Sequence, residues 1–240
     1  MDNGIYTALA GQVGNFHNMN NVANNIANAN TTGYKSDYML FNRYLTQDVQ
    51  DKNTMPQDYS TVSDYKNGPL KITNNPLDLA ITGQGLFMVQ TPMGIRYTRN
   101  GHFIRNNENL LVNMENHPIL SQEGNPIELQ ENDNSVIVYQ NGALYAKGYE
   151  DREYQERGVI GVMNFDNPQL LRKAGNNLMM SDIDGYLSND FTITQGALEE
   201  SNVENIMEVT RMIELQRKSE MTTSLIEGIY NVHKTAYKAI

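Results

Sequence analysis

The sequence predicts an α+β protein in which long N- and C-terminal helices pair as an antiparallel coiled-coil hairpin, with an antiparallel β-rich domain inserted between them. Apolar residues at both ends of the chain recur every three or four positions, the period of a helix face. The middle of the chain instead has short apolar runs separated by Gly, Pro and Asn, which is typical of strands joined by turns. We therefore expect residues 1–35 and 197–240 to form paired terminal helices, 36–75 an extended connecting segment, and 76–196 a β-rich outer domain.

The N-terminal helix is predicted from about residue 3 to residue 28. Asn3 suits the N-cap because the amides of the first turn have no partner inside a helix. Gly11 and Gly14 weaken the helix, and Asp2 is the only charge within residues 1–34. Such a helix is expected to be stable only when it packs against others. Its predicted subunit-packing residues are Ile5, Leu9, Phe16, Met19, Ala23 and Ile26, with Gln12 as a polar member of the same seam.

The C-terminal helix is predicted to begin near residue 202, where Ser201 and Glu204 match a capping box. A helix of this length would extend for about 50 Å, well beyond the length of most globular helices. Its predicted subunit-packing residues are Ile206, Val209, Ile213, Met221, Leu225, Ile229 and Val232. We hypothesise that this seam packs against the N-terminal one, as in a coiled coil.

Between the helices, apolar runs at residues 77–81, 86–89, 95–98, 110–112, 136–139, 144–146 and 159–162 predict short strands. Two Asn-Gly pairs, at 100–101 and 141–142, are typical of the type I′ turns that join adjacent antiparallel strands. The terminal segments carry net charges of 0 and −2, which leaves −8 of the total −10 to residues 36–196. This charge distribution indicates that the β-rich part faces outward.

Composition argues against several classes of protein. A net charge of −10 disfavours nucleic acid as a partner, because an acidic surface releases no counterions from it. The chain has no cysteine, which excludes disulfides and Cys-ligated metals. No apolar run approaches the ~20 residues of a membrane span. Residues 1–34 lack the basic and apolar regions of a secretory signal, so we expect no cleaved signal peptide.

No pattern predicts catalytic, cofactor-binding or metal-binding residues. The four histidines show no i, i+4 pairing of the kind found in zinc sites on helices. Gly83 and Gly85 are followed by Met88, where a dinucleotide fingerprint needs glycine. The turn at 182–185 lacks the remaining acidic ligands of a calcium loop. We therefore expect no enzyme activity, no cofactor and no small-molecule substrate.

Three segments resemble those of the flagellar axial proteins, the rod, hook and hook-associated subunits of the bacterial flagellum. In ANNIANANTTGYK at 23–35, the residues that match the family motif are Asn24, Asn25, Ile26, Ala27, Asn28, Thr32, Gly33 and Tyr34. The sequences NPLDLAI at 75–81, GLF at 85–87 and YTRNGHF at 97–103 resemble the start of the middle domain of rod and hook proteins. The sequences QGALEESNV at 195–203 and TRMIELQR at 210–217 resemble their C-terminal helix.

Within the family, residues 1–9, residues 167–172 and the modest length most resemble the proximal-rod subunits, with the distal-rod subunits or hook-type subunits as the alternative. One departure is Asn109, at a position where members often carry glycine. Because Asn tolerates a positive φ, we expect the turn to be retained.

The resemblance implies a structural subunit of the flagellar basal-body rod that assembles through its terminal helices into a tubular drive shaft and transmits torque to the hook. The implied partners are other rod subunits, copies of itself, the membrane-ring and distal-rod proteins and the flagellar type III export apparatus. The implied location is the rod in the periplasmic space, reached by export without signal cleavage.

Two other classes of function remain open on the sequence. A secreted coiled-coil adhesin or a phage tail-like subunit would share the long terminal helices. A peptidoglycan-cutting enzyme would place a catalytic acid in a cleft of the β domain.

Overall fold

A computed structural model describes residues 2–42 and 58–238 of the chain, which forms two compact units. Unit 1 comprises residues 1–29, 36–64 and 203–240, and unit 2 comprises residues 30–35 and 65–202. The chain therefore passes between the units at four points in the sequence. Among the described residues, no helix is both long enough and apolar enough to span a membrane.

The described residues of unit 1 form two helices and one strand pair. Its elements are α1 (Asp2–Ala27), β1 (Asp37–Asn42), β2 (Asp58–Ser63) and α2 (Asn205–Lys238). Strands β1 and β2 are antiparallel. In α2 the N–H of Glu208 donates to the carbonyl of Glu204, and the helix begins at Asn205. The predicted start near residue 202, with Ser201 in the capping position, was therefore wrong.

The two helices pack together, but the prediction that they form a long coiled-coil hairpin was wrong. Four residues of α1 and two of α2 are prominent among the buried ones: Gln12, Asn15, Val22, Asn25, Glu208 and Leu215. Residues of the predicted apolar seam lie outside, with Leu9 52% and Ile206 84% exposed. The reason is that polar side chains hydrogen-bond inside the helix contact and orient a neighbouring face of each helix inward. Apolar spacing alone cannot distinguish two adjacent helix faces.

Unit 2 is built from strands and one short 3₁₀ helix, Pro168–Leu170. The strands are β3 (Leu70–Ile72), β4 (Leu79–Gly83), β5 (Leu86–Thr91), β6 (Gly94–Thr98), β7 (Ile104–Arg105), β8 (Leu111–Val112), β9 (Asp133–Val138), β10 (Ala143–Gly148), β11 (Gln155–Val159), β12 (Val162–Asn164), β13 (Arg172–Gly175), β14 (Leu178–Met180), β15 (Tyr186–Leu187), β16 (Phe191–Gln195) and β17 (Ala197–Glu199).

All strand pairs of unit 2 are antiparallel. A six-stranded sheet has the order β13-β14-β6-β5-β12-β15, and a three-stranded sheet has the order β11-β10-β9. Three further two-stranded pairs join β4 with β16, β3 with β17, and β7 with β8. Strands β1 to β3 occur in the stretch expected to be an extended connection, of which residues 43–57 lie outside the described residues.

The main apolar core lies in unit 2 and gathers side chains from most of its sheets. Phe87 and Phe103 stack edge to face at its centre, with ring centroids 5.2 Å apart, and both are fully buried. Around them pack Leu79, Ile81, Leu111, Ile119, Ile127, Leu129, Val138, Leu144, Ala146, Ile160, Val162 and Ile193. Burial of this kind contributes roughly 1.5–3 kcal/mol for each large side chain, so unit 2 has a substantial core of its own.

Candidate functional site

The helix contact in unit 1 is held by polar side chains. Gln12 Nε2 donates to Ser219 Oγ at 2.5 Å, and Asn25 Nδ2 donates to Glu208 Oε2 at 3.3 Å. Because a later residue of α1 pairs with an earlier residue of α2, the two helices run antiparallel. Arg211, one turn after Glu208, also donates to that carboxylate, at 2.7 Å.

The predicted subunit-packing residues are largely exposed in the single chain. On α1, Leu9 and Phe16 are 52% and 53% exposed, Ala23 is exposed, and Met19 and Ile26 are partly buried. The side chain of Ile5 lies outside what the structure describes. On α2, six of the seven predicted residues are exposed and the seventh, Ile229, is partly buried; the six are Ile206, Val209, Ile213, Met221, Leu225 and Val232. The role of this set in subunit packing stays a prediction.

Asn25 joins α1 to the first strand of unit 1. Its side chain is 1% exposed, its Nδ2 donates to the carbonyl of Asp37 at 2.7 Å, and its Oδ1 accepts the N–H of Asp37 at 2.9 Å. An amide side chain thus pairs with a strand residue as another strand would. Next to it, Asn28 Nδ2 donates to the carbonyl of Asn24 at 2.9 Å, which satisfies a carbonyl at the end of the helix. The two neighbouring motif residues differ: Ile26 is partly buried and Ala27 is exposed.

The following motif residues, 32–34, belong to unit 2. Gly33 has a φ of +68°, and a Cβ there would lie 2.6 Å from backbone atoms of residues 99 and 100. Its N–H donates to the carbonyl of Glu199 at 2.7 Å. The carbonyl of Thr32 accepts Asn177 Nδ2 at 2.6 Å, and Lys173 Nζ lies 4.2 Å from the ring centre of Tyr34. Glycine is required here by both its conformation and its close contact.

A buried ion-pair network follows immediately in the sequence. Lys35 Nζ lies 2.6 Å from Glu199 Oε1, and Arg99 Nε lies 2.5 Å from Glu199 Oε2. The three side chains are 2%, 3% and 1% exposed in the order Lys35, Arg99, Glu199. Glu199 also accepts the N–H of Gly68 at 2.9 Å. A buried carboxylate with this many charge-assisted hydrogen bonds is strongly coupled to its cations.

Arg99 contributes hydrogen bonds beyond the ion pair. Its guanidinium donates to the carbonyls of Gly85, Ile81 and Gly83 and to Asn67 Oδ1, at 2.5 to 2.9 Å. A guanidinium carries five N–H donors, and burial makes each unsatisfied donor costly, so these acceptors, together with Glu199, are what allows Arg99 to lie inside unit 2.

Each of the three charged residues comes from a different segment that resembles the flagellar axial proteins. Lys35 ends the segment 23–35, Arg99 lies within 97–103, and Glu199 lies within 195–203. The sequence interpretation did not select them as site residues. The available signal was the presence of a charge inside otherwise small, polar or apolar motifs, but it does not reveal which charges meet.

A second buried ion pair lies at the edge of the three-stranded sheet. Asp133 Oδ2 lies 2.8 Å from Arg157 Nε, and its carboxylate also accepts the N–H of Gln130 at 2.7 Å. Burial alone would raise the pKa of Asp133, but the hydrogen bonds from Arg157 and Gln130, together with the positive charges of Arg157 and Arg105, hold that pKa below its ordinary value. The same hydrogen bond raises the pKa of Arg157.

The described residues contain no group of three His, Cys, Asp or Glu side chains placed to hold a metal ion. At the turn considered as a calcium loop, Asp182 forms an exposed ion pair with Arg172. The described residues therefore provide buried ion pairs that hold segments of unit 2 together, and exposed apolar helix faces in unit 1.

Comparison with known families matches three parts of the chain. Residues 5–35 match the flagella basal body rod protein family, residues 80–146 match the D1 domain of the flagellar hook protein FlgE/F/G family, and residues 194–229 match the C-terminal part of the flagellar basal body rod FlgEFG proteins. Lys35, Arg99 and Glu199 lie in three different matched regions, so the ion-pair network joins all of them.

Relatives extend this similarity to the whole chain. The flagellar basal-body rod protein FlgF of Caulobacter vibrioides is 31% identical over 250 residues, covering 100% of this chain and 98% of the relative. FlgF of Mesorhizobium japonicum is 30% identical with the same coverage. The flagellar basal-body rod protein FlgG of Bacillus subtilis is 26% identical and covers 92% of this chain and 93% of the relative. The chain therefore belongs to the FlgF family of flagellar basal-body rod proteins, which are structural parts of the flagellum that assemble with other rod subunits.

Proposed function

We propose that the chain is a structural subunit of the proximal part of the basal-body rod, where it joins other rod subunits and copies of itself in the tubular shaft that transmits torque to the hook. The observation that carries this proposal is the apolar surface left exposed on both helices of unit 1. On α1 it comprises Leu9, Val13 and Phe16, and on α2 it includes Ile206, Met221, Leu225 and Val232.

Exposure of these apolar side chains to water would be unfavourable in a free monomer. Large contiguous apolar patches on soluble proteins mark interaction sites, and covering each of these side chains contributes roughly 1.5–3 kcal/mol. The helix α1 has one acidic residue, Asp2, and no Lys or Arg, so its outward face has no charge to keep it in water. Burial against neighbouring subunits offsets the cost of exposing such a helix.

Further parts of the proposal rest on family membership. We infer that the chain reaches the rod through the flagellar type III export apparatus, lies in the periplasmic space, and contacts membrane-ring and distal-rod proteins. The role is mechanical, with no catalytic step. Accordingly, the whole chain incubated with purified peptidoglycan should release no glycan fragments, and clear release would overturn the mechanical role.

The experiment that tests the function uses a deletion strain complemented with wild-type, Leu9→Asp or Asn20→Asp chain. Both positions are exposed on α1 and both variants add one negative charge, but only Leu9 belongs to the apolar face. We expect Leu9→Asp to reduce swimming and to lower the amount of chain in purified hook–basal bodies, whereas Asn20→Asp should behave like wild type. Circular dichroism of the purified variants checks that both fold alike.

The two failures of this experiment have different meanings. Wild-type incorporation of Leu9→Asp would refute the packing role of the α1 face. Absence of the wild-type chain from hook–basal bodies, with normal motility of the deletion strain, would refute the rod function itself.

A distal-rod position is the second candidate, and the FlgG relatives at 26–28% identity favour it. The identity of 30–31% to FlgF over the full chain supports the proximal position instead. Cross-linking in isolated basal bodies distinguishes the two. A proximal subunit should cross-link to proteins at the membrane-ring end of the rod, and a distal one to proteins beneath the hook.

A further inference from the structure

A small polar layer lies inside the helix contact of unit 1. It consists of Gln12, Asn15 and Ser219, and the first two are 9% and 5% exposed. Gln12 Nε2 donates to Ser219 Oγ at 2.5 Å. Two other amide atoms of the layer, Gln12 Oε1 and Asn15 Nδ2, are buried without a hydrogen-bond partner in the structure.

This layer stabilises the helix contact less than apolar side chains at the same positions would. Burying an amide atom without a partner destabilises a fold, and leucine at either position would remove that cost. Polar residues inside a helix contact have a second effect, however, since they make one alignment of the helices better than its neighbours. The layer therefore points to alignment rather than to stability.

The apolar part of the contact discriminates poorly between alignments. Among the described residues of unit 1, Val22 and Leu215 are the only large apolar side chains that are buried. The inward positions of α2 follow spacings of four and three, and the buried or partly buried apolar ones repeat along its length: Met212, Leu215, Ile226 and Ile229. A displaced Val22 would thus find similar surface elsewhere.

The polar layer does discriminate. Displacement of α1 by one turn in one direction would place Gln12 opposite Leu215, whose side chain has no acceptor. Displacement in the other direction would place Gln12 opposite Thr222, whose hydroxyl donates to the carbonyl of Lys218 at 2.9 Å and still has lone pairs to accept Gln12 Nε2, so the hydrogen bond between Asn25 and Glu208 opposes that displacement. Displacement in either direction would also separate Asn25 from Glu208.

We propose that Gln12, Asn15 and Ser219 determine the register of α1 on α2. The register decides which exposed apolar residues of the two helices stand side by side. This consequence for assembly rests on the proposed rod function, whereas the register itself is a property of the chain alone.

The test measures the register directly. The chain has no cysteine, so Asn24→Cys and Ser224→Cys, both at exposed positions, introduce a single pair of spin labels. Pulsed electron paramagnetic resonance should give one distance for the otherwise wild-type chain. With Gln12→Leu and Asn15→Leu added, we expect a second population displaced by about 5.4 Å along the helix axis, the length of one turn.

Two matched variants separate register from general effects of leucine. Asn20→Leu places the same side chain at an exposed position of α1 and should keep the single distance. Exchange of the partners, Gln12→Ser with Ser219→Gln, retains an amide–hydroxyl pair and should also keep it. A single wild-type distance in the doubly leucine-substituted chain would overturn the proposal.

The proposal can be tested even if the Gln12→Leu/Asn15→Leu variant does not fold. If Gln12→Leu/Asn15→Leu loses its helical circular dichroism, Ser219→Ala, which removes only the hydroxyl, decides the matter. A second distance in Ser219→Ala supports the proposal, and an unchanged single distance overturns it. A register shift in a chain that never enters the rod would refute the proposed function while leaving this inference intact.

Discussion

Glu199→Gln is the substitution for which the buried network of unit 2 predicts the largest effect. The carboxylate of Glu199 accepts from Lys35 Nζ, Arg99 Nε and the N–H of Gly68. Glutamine keeps the shape of the side chain but removes its charge and turns one acceptor oxygen into an NH₂ donor. That donor would then face Lys35 or Arg99, each of which is also a donor.

The magnitude follows from burial. All three charged side chains are at most 3% exposed, so water cannot replace the lost carboxylate. Removing one partner from a buried ion pair costs about 3–5 kcal/mol, because a charge remains inside without compensation. For a unit of this size, such a loss lowers the melting temperature on the order of 10 °C.

The assay is urea unfolding followed by far-ultraviolet circular dichroism, with Glu200→Gln as the matched control. Glu200 is the next residue and pairs with Lys71 at 3.7 Å, but their side chains are 47% and 66% exposed. Exposed pairs of this kind contribute little, so the control should change the free energy of unfolding by about 0.5 kcal/mol or less. A difference below about 1 kcal/mol between the two variants would refute the view that the network holds unit 2 together.

Other substitutions test other parts of the structure. Gly33→Ala should destabilise the chain by more than Gly124→Ala, since both glycines have positive φ but only Gly33 lacks room for a Cβ; equal losses of unfolding free energy would contradict the close contact. Asp133 has its pKa lowered in the folded state, so its ion pair with Arg157 stabilises the fold above the ordinary carboxyl pKa of about 3.9 and stops doing so as pH falls through the folded value. Asp133→Asn should therefore lose less free energy of unfolding than wild type when the pH falls from 5 to 3, measured by urea titration at each pH. Glu123→Gln, at an exposed position, should follow wild type. If the free energy of unfolding depends on pH in the same way in all three chains, the direction of the pKa shift is wrong.

Local conformation could be predicted from the sequence where the residue types of a short segment are enough to determine it. The N-terminal helix, expected from 3 to 28, spans Asp2–Ala27, and Asn109 adopts the expected positive φ, at 63°. The type I′ turns were wrong: at the second Asn-Gly pair only Gly142 has a positive φ, and Gly101 instead packs against the backbone of Leu79. An Asn-Gly pair indicates a position where the backbone requires glycine. That requirement can come from a positive φ in a turn or from a close steric contact, and the pair does not tell which.

The helix contact marks the limit of pattern reasoning in another way. Periodicity predicted two helices and two apolar seams, and both helices are present. The inward faces were misassigned because Asn15, Asn25 and Glu208 are polar and were left out of the predicted seams, in which Gln12 was the one polar member. Polar residues can occupy a contact when they find hydrogen-bond partners there, and those partners lie on another element.

The sequence by itself determined the helices, the strand-rich middle and the family, because helical period, turn residues and the three matched segments are all properties of neighbouring residues. Only the tertiary structure decided which charges meet. Glu199 binds Lys35 across 164 positions of the chain and Arg99 across 100. A charge is stable inside a protein only where distant segments bring its counter-charge and acceptors to it, and no local pattern contains that information.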